Sequence, residues 1–364
     1  MPSELPIPVS VLTGFLGSGK TTLLNRALHE PSLANTAVII NEFGEVGLDH
    51  LFVDQADTDI VELSAGCLCC TIRGDLVDTL EDLARRRADG DIPPFDRVII
   101  ETTGLADPAP VLQTLFRLAE DGIYDAAGVV TLVDMVNGLA TLSSHQEAVR
   151  QVAVADRLVL TKGAGTADPT LVARLDALNS SAIRFETTDK ALQDPGLLFA
   201  PGLSGLASKK DVVAAWLGQD ANHHHHHSHD NDVNRHGDRI RAFTLVVEQP
   251  VSEHALTNFI DLLRSAHGPN LLRVKGLVHV QGQPDTPLVL NGVQHIFHDP
   301  VRLERWPDGD RRSRIVFILQ DMDPQFVERM FKAFMGNPVL DQADEAALTD
   351  NPLAVPGIDG PFRP

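Results

Sequence analysis

The chain has 364 residues, which at about 100–200 residues per domain predicts two domains and a sizeable core. Its 43% hydrophobic and 22% charged composition, with 27 Gly and 23 Pro, excludes a collagenous or wholly disordered chain, and no apolar run reaches the ~18 residues of a membrane span. Fifty acidic against 30 basic residues leave a formal charge of −20, which repels phosphate backbones and argues against nucleic acid as a partner while attracting cations.

The opening MPSELPIPVSVLTG has no basic stretch followed by an apolar one, so a cytoplasmic protein with no membrane partner is expected. From 7 to 190, short β-branched runs alternate with helical stretches, the pattern of βαβ units and a mostly parallel sheet covered on both faces. Strands are expected at Ile7–Leu12, Thr36–Ile40, Asp59–Leu63, Arg97–Ile100, Ala127–Val133, Arg157–Leu160 and Ala182–Phe185. Helices are expected at Lys20–His29, Gly74–Arg87, Ala109–Asp121, Ser143–Val154 and Pro169–Asn179; in the second, Leu76, Leu80 and Leu83 recur at helical spacing. Between 216 and 238 the apolar pattern gives way to GQDANHHHHHSHDNDVNRHGD, which reads as a polar linker. Strand Ile240–Val247, helix Ser252–Ala266, strands Leu271–Gln281, Leu288–Leu290, Val293–His298 and Arg314–Leu319, and helix Pro324–Met335 then predict a small α+β domain. The expected organisation is an α/β domain with a mostly parallel sheet at 1–215, a His-rich linker at 216–238, an α+β C-terminal domain at 239–336 and a loose tail at 337–364.

The residues Gly14-Phe-Leu-Gly17-Ser18-Gly19-Lys20-Thr21-Thr22 fit a phosphate-binding P-loop, set between an expected strand and helix as the motif requires. Glycines let backbone N–H groups close around phosphate oxygens, and the helix N-terminus adds partial positive charge. Lys20 would bridge the β- and γ-phosphates, and the Thr21 hydroxyl would ligate Mg²⁺. After the strand Val98-Ile99-Ile100 stands Glu101-Thr-Thr-Gly104, where an acid can hold a metal-bound water or orient the attacking one. Gly104 would offer its N–H to the γ-phosphate with no Cβ in the way. A Gly-rich turn and a capping acid are the plainer alternatives.

All three cysteines, Cys67, Cys69 and Cys70, crowd into one segment between these two stations. Thiolates suit Zn²⁺ or Co²⁺, but in an ideal strand Cys70 would point away from the other two, so three-thiolate ligation requires a turn, which Gly66 permits. A buried structural thiol set or a redox couple remain alternatives. His223, His224, His225, His226, His227 and His229, with nearby acids, form a second, unorganised set able to capture metal loosely; a spacer or an internal tag are the competing readings.

Taken together, GFLGSGKTT at 14–22, NEFGEVGLD at 41–49, GCLCCTIRGDL at 66–76 and ETTGLADP at 101–108 resemble the CobW-type GTPases, proposed metal chaperones or insertion factors related to the nickel-chaperone GTPases UreG and HypB. LLRVKGLV at 271–278 and the stretch from 294 to 318 are similar to that family's C-terminal domain. The resemblance implies a P-loop NTPase fold hydrolysing GTP at 1–215, GTP/GDP and Mg²⁺ at the cradle, Zn²⁺ or a similar ion at Cys67, Cys69 and Cys70, and a metal-requiring client; it leaves a homodimer open, and with no arginine assignable as a finger the intrinsic hydrolysis is expected to be slow. It also carries over Glu42 as a further metal-site contributor, with Glu45 a weaker one, and Thr161 and Lys162 as nucleotide contacts. One departure stands out: where the family has N/T-K-x-D with a guanine-reading Asp, this chain has Thr161-Lys162-Gly163-Ala164, and Asp168 is the nearest carboxylate that could fold back. A P-loop small-molecule kinase, or a metal buffer or sensor with incidental hydrolysis, are the rival functions.

Overall fold

A strand buried at every position but Pro8, β1 (Ile7–Gly14), forms the centre of the first sheet; Val9, Val11 and Leu12 are inaccessible from either face, as befits a parallel strand covered on both sides. The computed structural model describes residues 6–40, 60–62, 72–163, 166–186, 195–199, 239–298, 300–307 and 309–336. Around β1 lie β2 (Thr36–Ile40), β3 (Ile60–Glu62), β4 (Arg97–Glu101), β5 (Tyr124–Asp134), β6 (Arg157–Thr161) and β7 (Ile183–Phe185). They form a seven-stranded parallel sheet in the order β3-β2-β4-β1-β5-β6-β7. Early strands are laid to one side of β1 and later ones to the other. The strand order therefore reverses at β1, and the crevice at its C-terminal end is where open α/β sheets bind ligands.

The helices are α1 (Lys20–Leu28), α2 (Ile72–Asp89), α3 (Ala109–Glu120), α4 (Gly138–Ser144), α5 (Gln146–Ala153) and α6 (Pro169–Asn179). Alternate strand residues separate two cores. Leu76, Leu80 and Leu83 of α2 and Val111, Leu112 and Leu115 of α3 pack on Val9, Val11 and Ile100, while Leu24 and Ala27 of α1 pack on Leu12, Ile99 and Val159 on the opposite face. On the first face α5 and α6 continue the layer over Leu158 and Leu160.

Three local expectations are corrected. The single helix at Ser143–Val154 is two, because His145 adopts an extended conformation (φ −131°, ψ 115°) and sets its ring against Phe15, tilted by 30° at a centroid distance of 4.5 Å. β5 begins earlier than expected and passes through Gly128 at φ +135°, where its register against β1 shifts. The strand expected at Val293–His298 is the tip of a hairpin, and a short strand at Val301–Arg302 follows it.

The second sheet contains β8 (Ile240–Val247), β9 (Leu271–Val278), β10 (Leu288–Val293), β11 (Ile296–Phe297), β12 (Val301–Arg302) and β13 (Ser313–Gln320), antiparallel in the order β11-β10-β9-β13-β8 with β12 on β10. Helices α7 (Glu253–His267) and α8 (Pro324–Phe334) cover one face through Phe259, Leu263 and Phe331. The other face meets the first sheet's helical layer, where Ile240, Leu272 and Ile318 join the core of α5 and α6. At that junction the buried Asp156 receives Arg273 at 3.0 Å and Lys275 at 2.5 Å, and Gln113 of α3 donates to Gln294 at 2.6 Å. The expected linker and tail lie outside the described residues.

Candidate functional site

Leaving β1, the chain crosses Gly14, where an added Cβ would stand 2.6 Å from the Leu132 carbonyl oxygen, then turns through Gly17 (φ +70°) and Gly19 (φ +96°). Both are left-handed positions that side-chain-bearing residues rarely adopt. Gly19 caps α1 without a side-chain hydrogen bond, and no acid occupies the first turn, so the positive helix end faces the turn uncovered. Lys20 is buried and arches back, its Nζ donating to the carbonyls of Gly14 at 2.8 Å and Phe15 at 3.4 Å. Ser18 is buried beneath the turn, and Thr22 is exposed on the first turn of α1.

Glu101 ends β4, directly beside β1, in register with Leu12. Its buried carboxylate accepts a 3.0 Å hydrogen bond from the Thr21 hydroxyl. Thr102 fixes this end of β4 by donating its amide to the Leu12 carbonyl at 2.9 Å and its hydroxyl to Thr13 at 2.8 Å. Hard oxygen donors from a hydroxyl and a carboxylate, facing each other beside the turn, match the chemistry of a Mg²⁺ site. Gly104 then comes against the turn itself, its absent Cβ pointing at Leu16.

The end of β6 closes the other side. Thr161 donates its hydroxyl to the Ser18 carbonyl at 2.8 Å, and Lys162, at φ +63°, pairs with Asp134 at 3.4 Å. Partial burial disfavours ionised Asp134, but hydrogen bonds from the Asn137 side chain and the Val136 and Asn137 amides, with Lys162 nearby, hold its carboxyl below the ordinary carboxylate value. Asp168 does not fold back: its carboxylate caps α6, accepting from the Thr170 amide at 2.7 Å.

Thus Gly14, Gly17, Ser18, Gly19, Lys20, Thr21, Thr22, Glu101, Gly104, Thr161 and Lys162 gather at one edge of the sheet. Cys67, Cys69, Cys70, Glu42 and His223 to His227 with His229 lie outside the described residues. On either side of the cysteine segment in sequence, β3 ends at Glu62, which shares a register level with Ile40 and through it with Glu101, and α2 begins at Ile72. Among the described residues no three His, Cys, Asp or Glu side chains form a metal-binding group, and no helix is long and apolar enough to cross a membrane. Sequence reasoning missed Asp134 and the α5 pair Arg150 and Gln151, which contact the segment after Glu101. The available signal was Gln151 itself, a polar residue on the apolar face carrying Ala148 and Val152.

Residues 8–186 match the CobW/HypB/UreG nucleotide-binding domain and residues 240–335 the cobalamin synthesis protein cobW C-terminal domain. The chain is 35% identical over 319 residues to the zinc chaperone YjiA of Escherichia coli (strain K12), an alignment spanning 86% of this chain and 94% of that one. The chain belongs to the CobW/HypB/UreG family. Within that family it is also 29% identical over 360 residues to the zinc chaperone CobW of Pseudomonas aeruginosa, covering 91% and 92% of the two chains. Among solved structures, the fold is similar to Zn(II)-bound YjiA GTPase from E. coli at a TM-score of 0.64 and 29% identity, covering 91% of this chain and 99% of that one, so the likeness includes both sheets.

Proposed function

We propose that this CobW-family chain is a GTPase that couples nucleotide hydrolysis to delivery of a transition-metal ion, zinc or a close neighbour such as cobalt, to a metal-requiring client protein in the cytoplasm. The observation that carries the nucleotide half is the Thr21–Glu101 hydrogen bond, which joins the P-loop to the acid of β4 across 80 positions of sequence. The backbone turn of Gly14 to Gly19 and the start of α1 would hold the phosphates, with Lys20 swinging from its carbonyls to the β- and γ-phosphate oxygens. Mg²⁺, held by Thr21 and Glu101, would neutralise charge developing on the phosphates. Glu101 would orient the attacking water, and the Gly104 amide would mark the γ-phosphate.

The metal half rests on Cys67, Cys69 and Cys70, a soft donor set that follows β3 in sequence. It is supported by the chaperone function given for YjiA and CobW and by the Zn(II)-bound state of YjiA. Glu42 would contribute to the same site, and the histidines from 223 to 229 would collect metal loosely.

The test is phosphate release from GTP with Mg²⁺ and no added acceptor, in wild type and Lys20→Ala. Slow turnover is expected, because no arginine is assigned as a finger and such a group is worth about 10³–10⁵ in rate. Lys20→Ala should abolish that turnover. Release only upon addition of an acceptor would favour the small-molecule kinase reading instead.

A further inference from the structure

We propose that Gln151 and Arg150, consecutive residues of α5, are positioning residues for hydrolysis: they clamp the Gly104–Asp107 segment and thereby set where the Gly104 amide stands beside the P-loop. This inference rests on the nucleotide reading above. Gln151 is inaccessible to solvent among Ala148, Val149, Val152 and Ala153, a setting in which a primary amide is costly unless bonded. Both of its N–H groups are used on one short stretch of backbone, donating to the Gly104 carbonyl at 3.1 Å and the Ala106 carbonyl at 3.0 Å. Two acceptors on the same nitrogen fix the amide's orientation, and Gln151 Oε1 is then buried with no hydrogen-bond partner among the described residues. The amide thus satisfies the segment after Glu101 at the expense of its own oxygen.

Arg150 takes the next point along. Its Nη1 donates to Asp107 at 3.1 Å, and the other oxygen of that carboxylate accepts from the Ala109 amide at 3.0 Å, at the start of α3. The clamp has a firm base, because Thr131 of β5 donates its hydroxyl to the Gln151 carbonyl at 2.9 Å. From the opposite side Leu16 presses on Gly104 with backbone and side chain alike. Gly104 is therefore held between the P-loop and α5, and its position follows from α5 as much as from β4.

The experiment compares wild type, Gln151→Met and Arg150→Gln in the full-length protein by single-turnover GTP hydrolysis, by affinity for GDP and for a non-hydrolysable GTP analogue, and by melting temperature. Met keeps the volume of Gln151 but donates nothing. A displacement near an ångström costs up to about a hundredfold in rate, so Gln151→Met should lower the hydrolysis rate about 10- to 100-fold. GDP affinity should stay within about threefold, and the preference for the triphosphate analogue over GDP should shrink about 2- to 10-fold, the worth of one hydrogen bond. A folded Gln151→Met that hydrolyses GTP at the wild-type rate, or that loses GDP and triphosphate affinity equally, would overturn the clamp. Should that variant not fold, the half-exposed Arg150 decides: a several-fold loss of rate with GDP affinity kept supports the proposal, and an unchanged rate overturns it. Wild-type protein that releases no phosphate would overturn the nucleotide reading, and this inference with it, whereas normal wild-type hydrolysis with unaffected variants would overturn the clamp alone.

Discussion

At Gly104 a methyl group has no room: an added Cβ would stand 2.6 Å from Leu16 Cδ2 and 2.7 Å from the Leu16 backbone N and Cα. Backbone atoms cannot step aside as a side chain does. Gly104→Ala should therefore cost about 1–3 kcal/mol of overpacking strain and lower turnover, and trimming Leu16 to Ala should not restore it. Gly163→Ala is the contrasting control, since its nearest obstacle is the flexible end of Met135; thermal melting and phosphate release on both variants check the pair. The P-loop was legible at this scale because its glycines, lysine and threonine occupy fixed offsets along the chain. Gln151 was not, because a lone polar residue on an apolar helix face announces nothing about which carbonyls it meets. The role once open to Asp168 was illegible for a related reason, since capping α6 and reading a base call for the same residue type.

Among the elements, β6 leads into Thr161–Ala164, the segment proposed to meet the base of a nucleotide. Thr161 is tied to the Ser18 carbonyl and Lys162 to Asp134, Asp168 caps α6, and position 164 is Ala, so no carboxylate is placed in the family's usual position. A carboxylate accepting guanine N–H bonds contributes about 1.5–3 kcal/mol per bond, and without it GTP should be preferred over ATP by less than about a thousandfold. Competition of unlabelled GTP and ATP against a fluorescent nucleotide measures the ratio; a larger preference would mean that another group reads guanine. Most elements could be located from sequence because buried parallel strands are continuous apolar runs and the helices carry apolar stripes. Those misread have physical causes: His145 breaks a helix whose apolar spacing continues across it, and β5 opens with Tyr124-Asp125-Ala126, which carry no β-branched residue to mark a strand. The pairing of β10 with β11 and β12 depends on partners distant in sequence, which local pattern does not record.

For the whole molecule, the two sheets are joined through a buried charge cluster. Burial alone would raise the Asp156 pKa, but the Arg273 and Lys275 charges hold it well below the ordinary carboxylate value of 3.8. Lys275 is pulled by burial from 10.5 to about 8 despite Asp156, with Arg273 and Arg157 adding repulsion. Unfolding in the range between about 8 and 10.5 then takes up a proton, so this lysine makes stability rise with pH across that window. The Asp156 contribution is present above its unfolded value and is lost as pH falls below about 3.8 toward its folded one. Urea midpoints across pH should show the alkaline rise in wild type and not in Lys275→Met, and Asp156→Ala, which leaves buried cations unpaired, should cost about 3–5 kcal/mol. A second coupling is expected between the cradle and the Cys67–Cys70 segment, which follows β3 in sequence. Two ligands that bias one element must alter each other's affinity equally, typically by about 5- to 150-fold. The direct measurement is competition of Zn²⁺ against a chelator of known affinity, under reducing conditions, with the protein bound to GDP and then to a non-hydrolysable GTP analogue. A tight site is expected, removed by Cys67→Ser with Cys69→Ser, whose affinity differs between the two nucleotide states by an amount in that range; equal affinities in both states would contradict the coupling and leave a metal buffer with incidental hydrolysis.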